Sequence, residues 1–428
     1  MSARRPCAGA AVVMAAVVAC GYLSLDAQAG GSRPAPLLTA AGLPNQSPPA
    51  AAFGEYVTLA VEKSALRARG ASTELLVKID ASPHRYFRLL GPQFAARTCF
   101  AFRDLRWRLP SVAVHGDAHL EQFVVTRTTF GMEDFDQAGF GPAVVDLVRY
   151  AASIHIACRK ASWRCDADQA VSAYFTTYRE AIDHALAPAT PGIVHRLRRT
   201  SPPSTAAWLA WVETQIRALP AEEETQYRRS WTRLVALLTA VQPNRPANQY
   251  EISRVGRIEI GVGSALEKKV LVRTRGASDD PVDDLVLEAR LTTRPTGTEC
   301  VWRPPHGGSL HVMLFTSVLG RRLPEIYGFL PQEQDPTAPE LWVQSWDSGY
   351  RELSVADLET QSDLDELASD AARQLAGHFW NTFPEPLRQY LRFAQLDAFD
   401  MVDARARRLA RELADEAVAG WERFRSGS

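Results

Sequence analysis

Residues 114–123 read Val114-His115-Gly116-Asp117-Ala118-His119-Leu120-Glu121-Gln122-Phe123, and ten residues later comes Asp134-Phe135-Asp136-Gln137-Ala138-Gly139-Phe140-Gly141-Pro142. Two histidines flank an aspartate at alternate positions. On an extended segment His115, Asp117 and His119 project to one side. With Asp134 or Asp136 they could ligate zinc or manganese and serve a metal-dependent hydrolase. Gly116 suggests a turn, which breaks that shared face. The same spacing suits phosphoryl transfer, which needs a carboxylate to orient the attacking hydroxyl and later oxygen ligands for Mg²⁺. Asp117, then Gln122, a short hairpin and Asp134 stand in that order. Two aspartates in a largely apolar neighbourhood need a partner or a cation.

Working outward, "SVAVHGD" reads as a short buried strand running into a loop. Phe123 to Phe135 reads as two short strands joined by a turn near Gly131. After Gly141-Pro142, "AVVDLVRYAASIHIAC" has its apolar residues at a 3.6-residue period and predicts a helix. Upstream, helical periodicity starts near Tyr56 and runs through "LAVEKSALRARG". "ASPHRYFRLLGPQFAARTCFAF" is helical after Pro83, with a break at Gly91-Pro92. Residues 166 to 241 are helical. The run His195-Arg196-Leu197-Arg198-Arg199 reads as a solvated face, and Trp208 and Trp211 as core. A Pro/Asn-rich boundary, Val241 to Tyr250, precedes alternating apolar and polar residues in "RIEIGVGSALEKKVLVRTRG" and "DDLVLEARLTTRP", which predict strands. "LWVQSWDSGY" adds a further strand, and the chain is helical again from Leu353. The expected organisation is 1–29 signal peptide, 30–52 flexible leader, 53–245 helix-rich lobe, 246–352 β-sheet lobe and 353–428 C-terminal helices. The fold class is α+β.

The 428 residues carry a formal charge of −1 and are 46% hydrophobic, enough for a large core and without the basic excess that bulk nucleic-acid affinity needs. Arg4 and Arg5 precede a short apolar stretch, Ala8 to Ala19, too short to span a bilayer. Ala27-Gln28-Ala29 fits a cleavage site that starts the mature chain at Gly30. Val17-Val18-Ala19-Cys20 resembles a lipobox, which would tie the chain to a membrane through a lipid on Cys20. Simple export, to the periplasm or medium, is the preferred expectation. Export makes Cys99, Cys158, Cys165 and Cys300 disulfide candidates, with Cys158–Cys165 closing a short polar loop and Cys99–Cys300 the residual pair. No CxxC suggests a structural zinc site.

The run "HGDAHLEQF…EDFDQAGFGPAVVDLVRYAAS" resembles the HGDxHxxN…D…GP…D run of the aminoglycoside-phosphotransferase branch of kinase-like folds. It is closer to the GDAHLxNFG…NDFDE…GPxxWDLxRLAAS run of a bacterial family, domain-of-unknown-function family 2252. "SPHRYFRLLG", "GVGSALEKKVLV", "LWVQSW" and "AARQLAGHFW" also resemble segments of that family, so the likeness covers roughly residues 75 to 385. The resemblance implies a kinase-like, helix-rich lobe with a smaller antiparallel sheet lobe. It implies a phosphotransferase using Mg²⁺ and ATP on an unknown acceptor hydroxyl, small-molecule or protein, or a non-catalytic nucleotide-binding relative. Asp117 takes the place of the catalytic-loop aspartate, braced by His115 and His119. Gln122 and Asp134, with Asp136 as a rival, take the metal-binding places. Asp146 matches the aspartate that anchors the next helix, and Arg149 a partner for a carboxylate. Arg88 and the glycine-rich Gly261, Gly263 and Ser264 would meet phosphate. This chain has Gln122 where the family has Asn, and Arg290 or Leu287 where it has a lysine. Its glycine-rich strands follow the HGD loop, the reverse of the order in ordinary kinases, so either the lobes are permuted or GVGS is a structural turn and the kinase likeness holds only for the HGD half.

Overall fold

Val112, Ala113 and Val114, a continuous apolar run, are buried and form strand β1 (Ser111–Val114). The computed structural model describes residues 57–427, apart from 188, 242–246, 259–268, 279, 292–299, 304–308, 321–326 and 331–340. The leader, Cys20, Gly261, Gly263 and Ser264 lie outside the described residues. Strand β2 (Phe123–Val125) and strand β3 (Phe130–Met132) follow, then β4 (Gly139–Pro142). β1 and β4 pair antiparallel, Val114 opposite Gly139. The HGD loop therefore leaves β1 at the same end at which the Asp134 segment enters β4. Gly131 sits inside β3 opposite Val124. The turn is Thr126 to Thr129, where Thr126 accepts N–H bonds from Thr128 and Thr129, so the turn expected at Gly131 is corrected.

Upstream lie α1 (Lys63–Ala68), α2 (Thr73–Asp80), α3 (Pro83–Arg88) and α4 (Gly91–Ala101). Val57 to Glu62 are not helical, which shortens the helix expected from Tyr56. Beyond β4, α5 (Val144–Cys158) is buried at every residue from Val144 to Ala157. A helix buried all round lies at the centre of a body, and its polar residues, among them Asp146 and Arg149, need partners there. Around it lie α6 (Ala167–His184), α11 (Gln361–Thr382) and α12 (Leu387–Ser426). Between them run α7 (Gly192–Thr200), α8 (Thr205–Gln215), α9 (Ala221–Val241) and α10 (Ser309–Leu319). On α7 the basic run divides: Arg196 pairs with Asp363 at 2.9 Å and Arg198 donates to the Thr126 and Thr129 carbonyls, whereas His195 and Arg199 are exposed.

The larger sheet is antiparallel. It comprises β5 (Ile252–Arg257), β6 (Lys269–Thr274), β7 (Leu285–Leu291), β8 (Tyr327–Leu330) and β9 (Leu341–Trp346), in the order β5-β6-β7-β9-β8. Val270, Val272, Leu287 and Ala289 pack with Trp231, Leu234 and Leu238 of α9 on one face. Leu271, Val286 and Trp346 pack with Trp208 and Val212 of α8, and with Val124, on the other. Trp208 is core, whereas Trp211 is 37% exposed. Strand β10 (Arg351–Glu352) joins β2 and β3 in the order β10-β2-β3. The fold is thus mixed α+β, helix-rich with small antiparallel sheets.

Disulfides join Cys158 to Cys165 and Cys99 to Cys300, the latter across 201 residues. Removing the long cross-link by Cys99→Ser with Cys300→Ser is expected to lower the unfolding free energy by about 2–5 kcal/mol, read from urea unfolding.

Candidate functional site

Asp146, in the first turn of α5, fixes the HGD loop. Its Oδ2 accepts the His115 N–H at 2.7 Å and its Oδ1 the Gly116 N–H at 2.8 Å. Burial raises its pKa against the pull of His115 and those two bonds. Gly116 has φ +78°, and a Cβ there would lie 2.0 Å from the Gln137 carbonyl oxygen. Only glycine fits, and its place packs the HGD loop against the segment after Asp134. His115 Nε2 donates to the Glu133 carbonyl at 2.8 Å, while its Nδ1 accepts the Asp117 N–H at 3.3 Å. Glu133 N–H donates to the Gln122 carbonyl at 2.9 Å. The two loops are therefore one bonded unit.

Both ring nitrogens of His115 are spent on backbone, and His119 Nδ1 accepts the Glu121 N–H at 3.1 Å. His119 Nε2 stands 3.8 Å from Asp117 Oδ2. Burial lowers the pKa of both histidines, so they are neutral braces. Only His119 turns a ring nitrogen toward the Asp117 carboxylate, whereas both of His115 are bonded to backbone, so the three side chains do not converge as the hydrolase reading needs. Among the described residues no three His, Cys, Asp or Glu side chains are grouped to hold one metal ion.

Asp117 is tied to Arg149 of α5 through Oδ1 and receives the Gln122 amide N–H at Oδ2, 3.3 Å away. The Arg149 guanidinium lies over the Phe87 ring at 4.3 Å. Burial raises Asp117 and lowers Arg149 even though they face each other. Asp134 adds to the rise at Asp117. Asp134 has φ 73°, the left-handed region, followed by a short 3₁₀ turn, Phe135–Gln137. A non-glycine residue there costs energy and persists only where its surroundings fix it. Its carboxylate pairs with Arg290. Burial works to raise this carboxyl, but Arg290, Lys269 and Arg88 hold it well below the usual carboxylate range. Asp136 instead faces Arg303, which bonds the Gln137 carbonyl at 2.6 and 3.1 Å.

Strand parity explains how the sheet reaches Asp134. Side chains two apart share a face, so Glu288 and Arg290 lie on the Val286 face. Lys269 lies opposite Arg290 on β6 and pairs with Glu288 at 3.2 Å. Trp346 Nε1 holds the other Glu288 oxygen at 2.9 Å. The sequence reading passed over Lys269 and Glu288, although a glutamate and an arginine alternating within the buried "LVLEARL" were a signal. It also passed over Glu121, which takes Arg88 at 3.3 Å, His84 at 3.4 Å and the Val355 N–H at 3.0 Å. Arg88 thus meets a carboxylate. Glu352 of β10 faces Lys269 and Arg88, with its pKa raised by burial.

The family model of DUF2252, described as an uncharacterized protein conserved in bacteria, matches part of the chain. It matches residues 74–196. The DUF2252 match thus takes in the HGD loop, Asp134, Asp146 and Arg149, and ends before the sheet that supplies Lys269 and Arg290. No curated protein and no solved structure is significantly similar to the chain.

His378 of α11 is 2% exposed, 6.4 Å from the Phe135 ring, and burial pushes its pKa down to about 3. A depressed histidine contributes stability above its unfolded pKa, near 6.5, and loses it as the pH falls toward 3. His378→Leu is expected to flatten the fall of stability below pH 6.5 by about 1.4 kcal/mol per pH unit, read from urea unfolding at several pH values.

Proposed function

We propose that the Asp117–Asp134 unit, with Arg290 and Lys269, is a kinase-like phosphoryl-transfer site on an exported protein. The observation that carries the reading is the pairing of Asp134, in its left-handed conformation, with a cation on the third strand of an antiparallel sheet. The first two strands of that sheet flank the segment bearing Gly261, Gly263 and Ser264. Kinases likewise set a strand-borne cation against the metal-binding aspartate and its phosphates. In this reading Arg290 stands for the family's lysine, since Leu287 lies on the opposite face of β7.

The donor set suits Mg²⁺: Asp134, with the Gln122 amide oxygen, offers hard oxygen ligands. Bound there, Mg²⁺ would neutralise charge on the nucleotide phosphates. Arg290, Lys269 and Arg88 would bind and orient those phosphates, Arg290 turning from Asp134 toward the anion. Asp117 would orient the acceptor hydroxyl and take up its proton, at Oδ2. The two disulfides support an oxidising compartment.

A second reading, a nucleotide-binding protein without turnover, is favoured by one observation: Asp117 is already neutralised by Arg149. ATP consumption by the full chain with Mg²⁺ separates the two. The transferase reading expects turnover that disappears in Asp117→Asn while nucleotide binding stays. Absence of turnover in the unsubstituted chain, with binding intact, decides for the second.

A further inference from the structure

Helix α11 buries an apolar side except for a stripe at four-residue spacing that includes Asp370 and Gln374, 0% and 6% exposed. Polar groups so deep are costly unless hydrogen-bonded. The Gln374 Nε2 donates to Asp370 Oδ2 at 2.6 Å, and Asp370 Oδ1 accepts the Ala189 N–H at 2.9 Å. At the other end Gln374 Oε1 accepts the Met132 N–H at 2.9 Å. Met132 closes β3, an edge strand, and Asp134 follows two residues later. Glu133, between them, is held by Gln122 and His115 from the HGD side. The chain entering the left-handed turn is thus gripped from α11 on one side and from the HGD loop on the other.

We infer that Asp370 and Gln374 are positioning residues for Asp134, fixing the last strand residue so that the turn delivers its carboxylate to the cation site. The inference rests on the phosphoryl-transfer reading above. A pair that only satisfied an edge N–H would affect melting and nothing else. A pair that aims a metal-binding carboxylate sets how much Mg²⁺ the site needs, as outer partners of metal ligands do.

The test is the Mg²⁺ concentration giving half the thermal shift of the full chain at a fixed, saturating ATP concentration. Gln374→Leu is expected to raise that concentration about 10-fold or more. The double swap Asp370→Asn with Gln374→Glu keeps all three hydrogen bonds, because the new amide donates to the new carboxylate, and restores the midpoint. If Gln374→Leu does not fold, Asp370→Asn alone sets two N–H groups against each other and is read in the same way. A lowered melting temperature with an unchanged Mg²⁺ midpoint overturns the inference and leaves the site reading standing. A wild-type chain with no Mg²⁺-dependent shift overturns the site reading and this inference together.

Discussion

Replacing Arg149 by methionine is expected to cost about 3–5 kcal/mol, because it leaves the Asp117 carboxylate buried without its cation. The pair is deep: the Arg149 side chain is 1% exposed and that of Asp117 17%. Burial already opposes the charge on each partner, raising the one and lowering the other. The pair itself adds little net stability, since its attraction mainly offsets desolvation. What is expensive is breaking it from one side. Methionine keeps contact with Phe87 and Phe94, so the loss reports charge more than packing. Asp117→Asn in the same chain removes the stranded charge, and the double variant is expected to recover much of the loss. Urea unfolding of the two single variants and the double variant closes the cycle. Equal losses in the Arg149→Met chain with and without Asp117→Asn would show that packing, and not the ion pair, is what Arg149 provides.

Asp146→Ala is expected to cost about 2–6 kcal/mol, two buried N–H groups being left unsatisfied at roughly 1–3 kcal/mol each. Those donors belong to His115 and Gly116. The damage therefore falls on the loop that aims Asp117 and, through His115 Nε2, on the carbonyl before Asp134. Asp146→Asn keeps one acceptor but turns an amide N–H toward a backbone N–H, so it is expected to recover only part of the loss. Hydrogen exchange locates the effect. Faster exchange confined to residues 114–137 agrees with a loop anchor, whereas uniform acceleration would make Asp146 a general core residue.

The local half of this arrangement was readable in advance. Strand β1, helix α5 and the helices of residues 166 to 241 follow from apolar spacing, which is a property of neighbouring residues. Strands β6, β7 and β9 were readable for the same reason, as were the cysteine pairs once the even count was set beside the short Cys158–Cys165 loop; β5, β8 and the helix α10 within the sheet region were not. The partners were not. Nothing near Asp134 in sequence announces Arg290 or Lys269, more than a hundred residues away, because their approach depends on which face of β7 meets the β2–β3 hairpin. The resemblance makes Asp146 the anchor of the helix it begins, yet its carboxylate serves the backbone of another loop. Gly116 was the local signal against a metal cluster on His115, Asp117 and His119, and its φ of +78° is the turn that the glycine suggested.

Thermal unfolding of the full chain with ATP, with and without Mg²⁺, beside Asp134→Ala, tests the central claim most directly. At ligand 100-fold above its dissociation constant, binding to the native state adds about 2.7 kcal/mol, a shift of several degrees. The site as proposed predicts a shift that needs ATP and Mg²⁺ together and vanishes in Asp134→Ala. No shift in the unsubstituted chain, or a shift that Asp134→Ala leaves intact, would contradict it.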